Sequence, residues 1–191
     1  MNCEKINQDS TKIELYRSCL QILQCRWKHE FGEDKLIDPK NAGTCYPNLV
    51  AEAAMCIYSF KELAEAANVS TEIILAVIQD REELTRGEST ALSEFLNSGM
   101  DFLFGKSLQT VDPGTEDGRD DLEYLEKMAD RLWRRYGIQL KGYPEFTIYK
   151  LQAGECVTYS EFSHAECALE DMLKTLEKKP PRQTRLERVT V

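Results

Sequence analysis

Histidine and cysteine side chains near the C-terminal end are the residues whose types suit metal binding or nucleophilic chemistry. His164 and Cys167 are three residues apart in a predicted helix, and Cys156 precedes them in a predicted strand. A metal site or a thiol site can be imagined there, but no paired-cysteine motif supplies a full ligand set. We therefore interpret His164 as a surface or half-buried residue and the two cysteines as core residues, and we predict no metal ion.

Catalytic motifs are missing from the sequence. It contains no Walker loop, dinucleotide fingerprint, nucleophile elbow or HExxH motif. We expect a protein that is not an enzyme, with no catalytic residue and no cofactor.

A basic and aromatic cluster is the next group with a possible chemistry. Arg131 and the run Trp133-Arg134-Arg135-Tyr136 could stack on an anion or pair with one. Such a cluster is more often a solvated helix face, and that is our interpretation.

Composition and charge limit the classes of protein that remain. The chain has 191 residues, with 24 Lys and Arg against 33 Asp and Glu, a net charge of -9. Its longest apolar run, Ile73 to Ile78, is far shorter than the roughly 20 residues of a membrane span, and residues 1–12 contain no apolar signal segment. We expect a soluble cytoplasmic protein with no membrane partner, in which the seven cysteines are reduced thiols.

Two amphipathic helices and a β-hairpin are predicted outside the central segment. Apolar residues spaced by three and four predict one helix over 11–31 and another over 120–136, which Gly137 can end. Two β-prone stretches, 146–151 and 156–162, are separated by a possible turn and predict a hairpin. A last helix is expected to begin at a Ser163 cap.

These elements predict five segments along the chain. They are an N-terminal helix and loop (1–45), a helical domain (46–106), a linker rich in Pro, Gly and Asp (107–119), a small unit made of helix, β-hairpin and helix (120–179), and a basic flexible tail (180–191). The expected fold class is mainly α, with a small C-terminal α+β unit.

Helix caps divide the central segment. Ser59 and Glu62 have the spacing of a capping box, as do Thr85 and Glu88, and each pair predicts a helix start. Between them Asn68 suits a left-handed turn residue, after which Ser70 or Thr71 can cap another helix. Two short helices joined by this turn are typical of a helix-turn-helix.

The central segment resembles the Cro/repressor-like (XRE-type) helix-turn-helix family of bacterial and phage regulators. The resemblance covers about 60 residues, 46–105, and rests on the following residues: Tyr46-Pro47-Asn48-Leu49, Glu62-Leu63-Ala64, Val69-Ser70, Leu84-Thr85, Glu88 and Leu103-Phe104. It implies a lambda-repressor-like domain of five helices and a transcriptional regulator that binds double-stranded DNA as a dimer.

The resemblance also implies which side chains would face DNA. They lie on the predicted second and third helices of the domain and just beyond them: Lys61, Ser70, Thr71, Glu72, Leu75, Ala76, Gln79 and Arg81.

An alternative function follows from the charge of the same segment. Residues 46–105 include three basic and ten acidic residues, a net charge of -7, whereas DNA binding depends on neutralising phosphates. The alternative is a degenerate helix-turn-helix protein that binds a protein partner or self-associates, as a homodimer, without binding DNA. The basic stretch 174–191 carries a net charge of +4 and could assist DNA binding or fold against the acidic segment.

Overall fold

The computed structural model describes residues 10–31 and 46–178. Within these residues the chain is mainly helical, with nine helices and one small antiparallel sheet of two strands. The elements in chain order are α1 (Ser10–Phe31), α2 (Pro47–Cys56), α3 (Phe60–Ala67), α4 (Thr71–Ile78), α5 (Arg86–Leu96), α6 (Met100–Leu103), β1 (Thr110–Val111), α7 (Glu116–Tyr136), α8 (Tyr143–Gln152), β2 (Val157–Thr158) and α9 (Tyr159–Glu177).

The predicted caps of the central segment are confirmed. Ser59 and Thr85 are the N-caps of α3 and α5, and each forms a complete capping box with the glutamate three residues later. Asn68 ends α3 in the left-handed conformation, with φ of 54°, as expected for a residue type that tolerates it. Ser70 is the N-cap of α4 but makes no capping hydrogen bond through its side chain.

Two hydrophobic cores form. The first is built from α1 to α6, and α1 contributes the apolar stripe Tyr16, Leu20 and Leu23. The second is built from β1, β2 and α7 to α9 around Leu125 and Val157. Helix α2 contacts both α1 and α9, so it lies where the two cores meet.

A buried asparagine fixes α2 to the segment that follows α6. The Asn48 amide nitrogen donates to the carbonyl oxygens of Phe102 and Ser107, at 3.0 Å each, and its oxygen accepts from the Gln109 backbone N–H at 2.8 Å. These three bonds use both amide hydrogens of the side chain and its oxygen. They place residues 107–109 against the first core.

The prediction of a linker over 107–119 does not describe this segment. Leu108 is buried in the first core, β1 pairs with β2, and α7 begins at Glu116. A Cβ on Gly118 would lie 1.9 Å from the carbonyl oxygen of Asp112, so this glycine permits the first turn of α7 to approach the preceding backbone. Gly118 therefore permits close packing of the backbone and is not evidence of a flexible linker.

The predicted β-hairpin is wrong. Its first strand is helix α8, which has Pro144 in its first turn, a position where proline suits a helix. Its second strand is reduced to Val157 and Thr158, which pair with Val111 and Thr110. The small C-terminal unit is therefore three helices closed by a strand pair that includes the segment before α7.

The start of the last helix is also corrected. Helix α9 begins at Tyr159, and the Thr158 hydroxyl accepts from the Glu161 backbone N–H at 3.1 Å. Ser163, the predicted cap, lies inside the helix. In contrast, the predicted end of α7 is confirmed, since Gly137 is left-handed with φ of 67°. The predicted basic tail, 180–191, lies outside the described residues.

Candidate functional site

Helices α3 and α4 present the residues that sequence reasoning assigned to a nucleic-acid interface. The two helices are joined by three residues, and the Val69 backbone N–H donates to the Ala64 carbonyl at 3.0 Å. The apolar side of α4 faces the first core through Ile74, Leu75 and Ile78. The opposite side of α4 faces solvent.

The assigned residues do not all lie on this solvent-facing side. Four are exposed and three are half-buried; the exposed ones are Lys61, Ser70, Glu72 and Arg81, and the half-buried ones are Thr71, Ala76 and Gln79. Leu75 differs from all of them because it is only 7% exposed and belongs to the core. Its place in the predicted DNA-facing set is corrected, since a core side chain does not reach a base edge.

The two cations of the assigned set already contact side chains of their own chain. Lys61 Nζ lies 3.8 Å from Glu65 Oε1, and the Arg81 guanidinium donates to the Gln79 side-chain oxygen. On α4 itself the Thr71 hydroxyl donates to Glu72 at 3.3 Å, and Ile73 is 38% exposed. The exposed face of α4 is thus acidic and partly apolar.

A second site lies where α2 meets α9. Glu52 and Cys56 are four residues apart on α2, which places them one above the other on one face, and His164 faces them from α9. The distance from His164 Nε2 to Glu52 Oε1 is 2.8 Å, and Cys56 Sγ lies 3.4 Å from that oxygen and 3.6 Å from that nitrogen. We call Glu52, Cys56 and His164 the α2–α9 cluster; their ligand atoms all lie within 4.8 Å of one another.

Burial and hydrogen bonding shift the proton affinities in the α2–α9 cluster. Burial opposes ionisation of Glu52, but its hydrogen bond with His164 and the nearby Ser160 hydroxyl outweigh that effect and hold the pKa of Glu52 below its usual value. The same hydrogen bond raises the pKa of His164. Burial, followed by the charge of Glu52, raises the pKa of the Cys56 thiol to about 12. The cluster thus combines a carboxylate, an imidazole and a protonated thiol.

Further polar groups extend from this cluster toward α8. Lys150 Nζ lies 2.7 Å from Glu161 Oε1, and the Tyr143 hydroxyl donates to the Glu161 backbone carbonyl at 2.5 Å. Burial, with the charge of Glu161 next, raises the pKa of Tyr143 and raises that of Cys19 to about 11. These hydroxyl and thiol groups are therefore protonated at neutral pH and act as hydrogen-bonding or packing groups.

The sequence analysis named His164 but gave it the wrong neighbours. Cys167 is exposed and Cys156 is half-buried, so the interpretation of both as core residues is wrong for Cys167. The partners of His164 are Glu52 and Cys56, which lie more than a hundred residues earlier in the chain. A Glu and a Cys four residues apart on a predicted helix were the visible signal, but nothing in the sequence shows which element would face them.

The basic and aromatic cluster of α7 is a solvated helix face, as we interpreted it. Trp133 is 57% exposed, Arg134 pairs with Asp130 at 2.6 Å, and Arg131 pairs with Glu177 of α9. Arg135 lies 3.9 Å from Glu177 as well, so all three arginines of the cluster already contact acidic side chains.

Comparison with protein-family models, curated proteins and solved structures finds no match to this chain. Among the described residues, no helix combines the length and apolar character that crossing a membrane requires.

Proposed function

We propose that the α3–α4 pair is a helix-turn-helix-like module that binds a basic, partly apolar protein segment. The observation that carries the proposal is the exposed face of α4, where Glu72 lies beside the partly exposed Ile73. A carboxylate next to an exposed aliphatic side chain suits a partner that brings a cation and an apolar group.

Electrostatics favour such a partner over DNA. A protein gains most of its non-specific affinity for a duplex by neutralising phosphates, and residues 46–105 carry a net charge of -7. The two cations next to the face, Lys61 and Arg81, contact Glu65 and Gln79. The same negative potential attracts a basic polypeptide and accelerates its association.

The test measures binding of a synthetic peptide, residues 174–191 of this chain, whose net charge is +4, by fluorescence anisotropy. The peptide is used as a positively charged probe of the α4 face. Glu72→Gln and Ile73→Ser should each weaken binding about threefold to tenfold. The matched control is Glu145→Gln, because Glu145 is likewise an exposed glutamate in the first turn of its helix; it should leave binding unchanged. Equal effects of Glu72→Gln and Glu145→Gln would contradict the proposal.

The second candidate function is a dimeric regulator that binds double-stranded DNA. It is favoured by one observation, the three-residue turn between α3 and α4, with half-buried Thr71 at the start of α4 and half-buried Gln79 directly after its end. Sequence selection on a random duplex library at low and moderate salt tests it directly. A selected sequence whose retention falls with salt and with Gln79→Ala would replace the protein-binding proposal by this one.

A further inference from the structure

We propose that the α2–α9 cluster is a zinc site in which Glu52, Cys56 and His164 are the protein ligands. This inference is independent of the function proposed for the α3–α4 pair. The three residues offer oxygen, sulfur and nitrogen, the donor atoms that Zn²⁺ accepts in proteins. Three protein ligands leave a fourth tetrahedral position for a water molecule or a small anion.

The distances between the donor atoms are close to those of a tetrahedral zinc site. Zinc bonds of about 2.0 to 2.3 Å arranged tetrahedrally place the ligand atoms about 3.3 to 3.6 Å apart. Two of the three separations already agree, 3.4 Å from sulfur to oxygen and 3.6 Å from sulfur to nitrogen. The third, 2.8 Å from the Glu52 oxygen to the His164 nitrogen, must open by about half an ångström, which a small rotation of the imidazole provides.

Charge balance supports the same assignment. A glutamate carboxylate, a cysteine thiolate and a neutral imidazole carry two negative charges, which equal the charge of Zn²⁺. On binding, the Cys56 S–H proton and the proton on His164 Nε2 pass to solvent, and bonds from sulfur and nitrogen to the ion replace them. Buried charges in proteins are normally paired or coordinate a metal ion, and this site would do the latter.

A buried hydroxyl beside the carboxylate adds a further polar group to the cluster. Ser160 is 1% exposed, and its Oγ has no hydrogen-bond partner of ordinary geometry among the described residues. It lies one helical turn before His164 on α9 and beside the Glu52 carboxylate. Buried hydroxyls are rarely left unpaired, and the Glu52 carboxylate is the acceptor beside Ser160, so this hydroxyl can help to orient the carboxylate toward a bound ion.

Access and rigidity also suit a bound ion. The Glu52 side chain is 6% exposed, whereas that of His164 is 35% exposed, so the site opens to solvent on the histidine side. Both contributing elements are packed helices, which hold ligand directions better than loops do. A zinc ion there would tie the first core to the second.

The experiment uses the reduced full-length chain with Cys3, Cys25, Cys45, Cys156 and Cys167 changed to Ser, so that Cys56 and the buried Cys19 are the thiols that remain. Co²⁺ is titrated into this background variant and followed by absorption, because cobalt bound to a thiolate gives a charge-transfer band and tetrahedral cobalt gives intense visible bands. We expect one equivalent of Co²⁺ with both signals, and displacement by one equivalent of Zn²⁺. Saturating Zn²⁺, at about a hundredfold its Kd, should raise Tm by roughly 5 to 10 °C.

Two substitutions in the background variant locate the ion. Cys56→Ser should abolish the charge-transfer band, and His164→Asn should lower zinc affinity at least about tenfold. The control is His29→Asn, because His29 is the other histidine of the chain and is exposed; it should change nothing. Circular dichroism establishes that each variant is folded.

Three results would overturn the proposal: no thiolate band from the folded background variant, a band that survives Cys56→Ser, or equal losses from His164→Asn and His29→Asn. The first of these results is measured without substituting any of the three ligands. It therefore contradicts the proposal even if a ligand variant fails to fold.

Discussion

Helices α2 and α4 are similar in length but place their polar side chains in opposite surroundings. In α2 the first eight residues are all buried, including Asn48 and Glu52. In α4 only Ile74, Leu75, Val77 and Ile78 are buried, while Glu72 faces solvent. The difference follows from their neighbours, because α2 packs against both α1 and α9 and α4 packs mainly against α3.

This contrast separates two uses of polar residues. Each buried polar side chain of α2 has defined partners, three hydrogen bonds for Asn48 and the contacts with His164 and Cys56 for Glu52. Replacing either side chain by an apolar one leaves its buried partners unpaired and lowers the free energy of unfolding. On the outer side of α4, in contrast, Glu72 is exposed, so its carboxylate lies where a partner could reach it.

The largest effect is expected from a charge placed on the inner side of α4. Leu75→Glu should lower the free energy of unfolding by roughly 4 kcal/mol or more, since it removes core packing and buries a carboxylate. Ile73→Glu, two residues earlier and 38% exposed, should cost less than about 1 kcal/mol. Urea denaturation followed by circular dichroism measures both. Equal stability of the two variants would contradict the placement of α4.

The next effect concerns the buried asparagine of α2. Asn48→Ala removes three hydrogen bonds of about 1 kcal/mol each and should cost about 3 kcal/mol in the same assay. The control Gln139→Ala changes an exposed residue and should stay within about 0.5 kcal/mol of the parent. A loss below about 1 kcal/mol for Asn48→Ala would show that residues 102–109 are held by other contacts.

A smaller effect distinguishes the caps of α3 and α4. Ser59→Ala should cost about 1 kcal/mol because the Ser59 hydroxyl accepts from the Glu62 N–H at 3.1 Å. Ser70→Ala should cost less than about 0.5 kcal/mol, because Ser70 makes no such bond. Thermal unfolding of both variants checks the difference, and the reverse order would contradict the assigned caps.

The smallest effect on stability is expected from Glu72→Gln. It removes a charge from the first turn of α4, where the helix dipole favours carboxylates by about 0.3 to 1 kcal/mol. The loss should be near the lower limit because the residue is exposed, and Glu145→Gln should match it. A loss above about 1 kcal/mol would mean that Glu72 serves stability, and would weaken the case for a partner on this face.

The sequence was sufficient to predict those helix starts and ends that depend only on residues within one turn of the end. The capping boxes at Ser59 and Thr85 and the left-handed residues Asn68 and Gly137 are set by hydrogen bonds within one turn. Such ends need no information about the rest of the chain.

Local signals failed where packing decides the structure. The β-prone residues of 146–151 form helix α8, whose buried residues Thr147, Ile148 and Leu151 follow helical spacing, while Phe146 is 63% exposed. The true cap of α9 also has a sequence signal, Thr158 followed three residues later by Glu161. It was missed because both residues lie within 156–162, which was predicted to be a strand. β-propensity depends strongly on context.

The candidate site was less predictable than the fold. His164 could be named from its residue type, but its partners Glu52 and Cys56 come from a distant helix, and only the packing of α9 on α2 brings the three together. Their proximity is a property of the tertiary structure, which spacing along the chain does not contain.

The pairing of β1 with β2 has a consequence for the order of folding. Its two strands are separated in the chain by all of α7 and α8, so it can form only after that long loop has closed, an event with a larger entropic cost than a local turn. The α3–α4 turn, in contrast, joins neighbouring helices. In a refolding experiment followed by pulsed hydrogen exchange, we therefore expect amides of α3 and α4 to become protected before the strand amides.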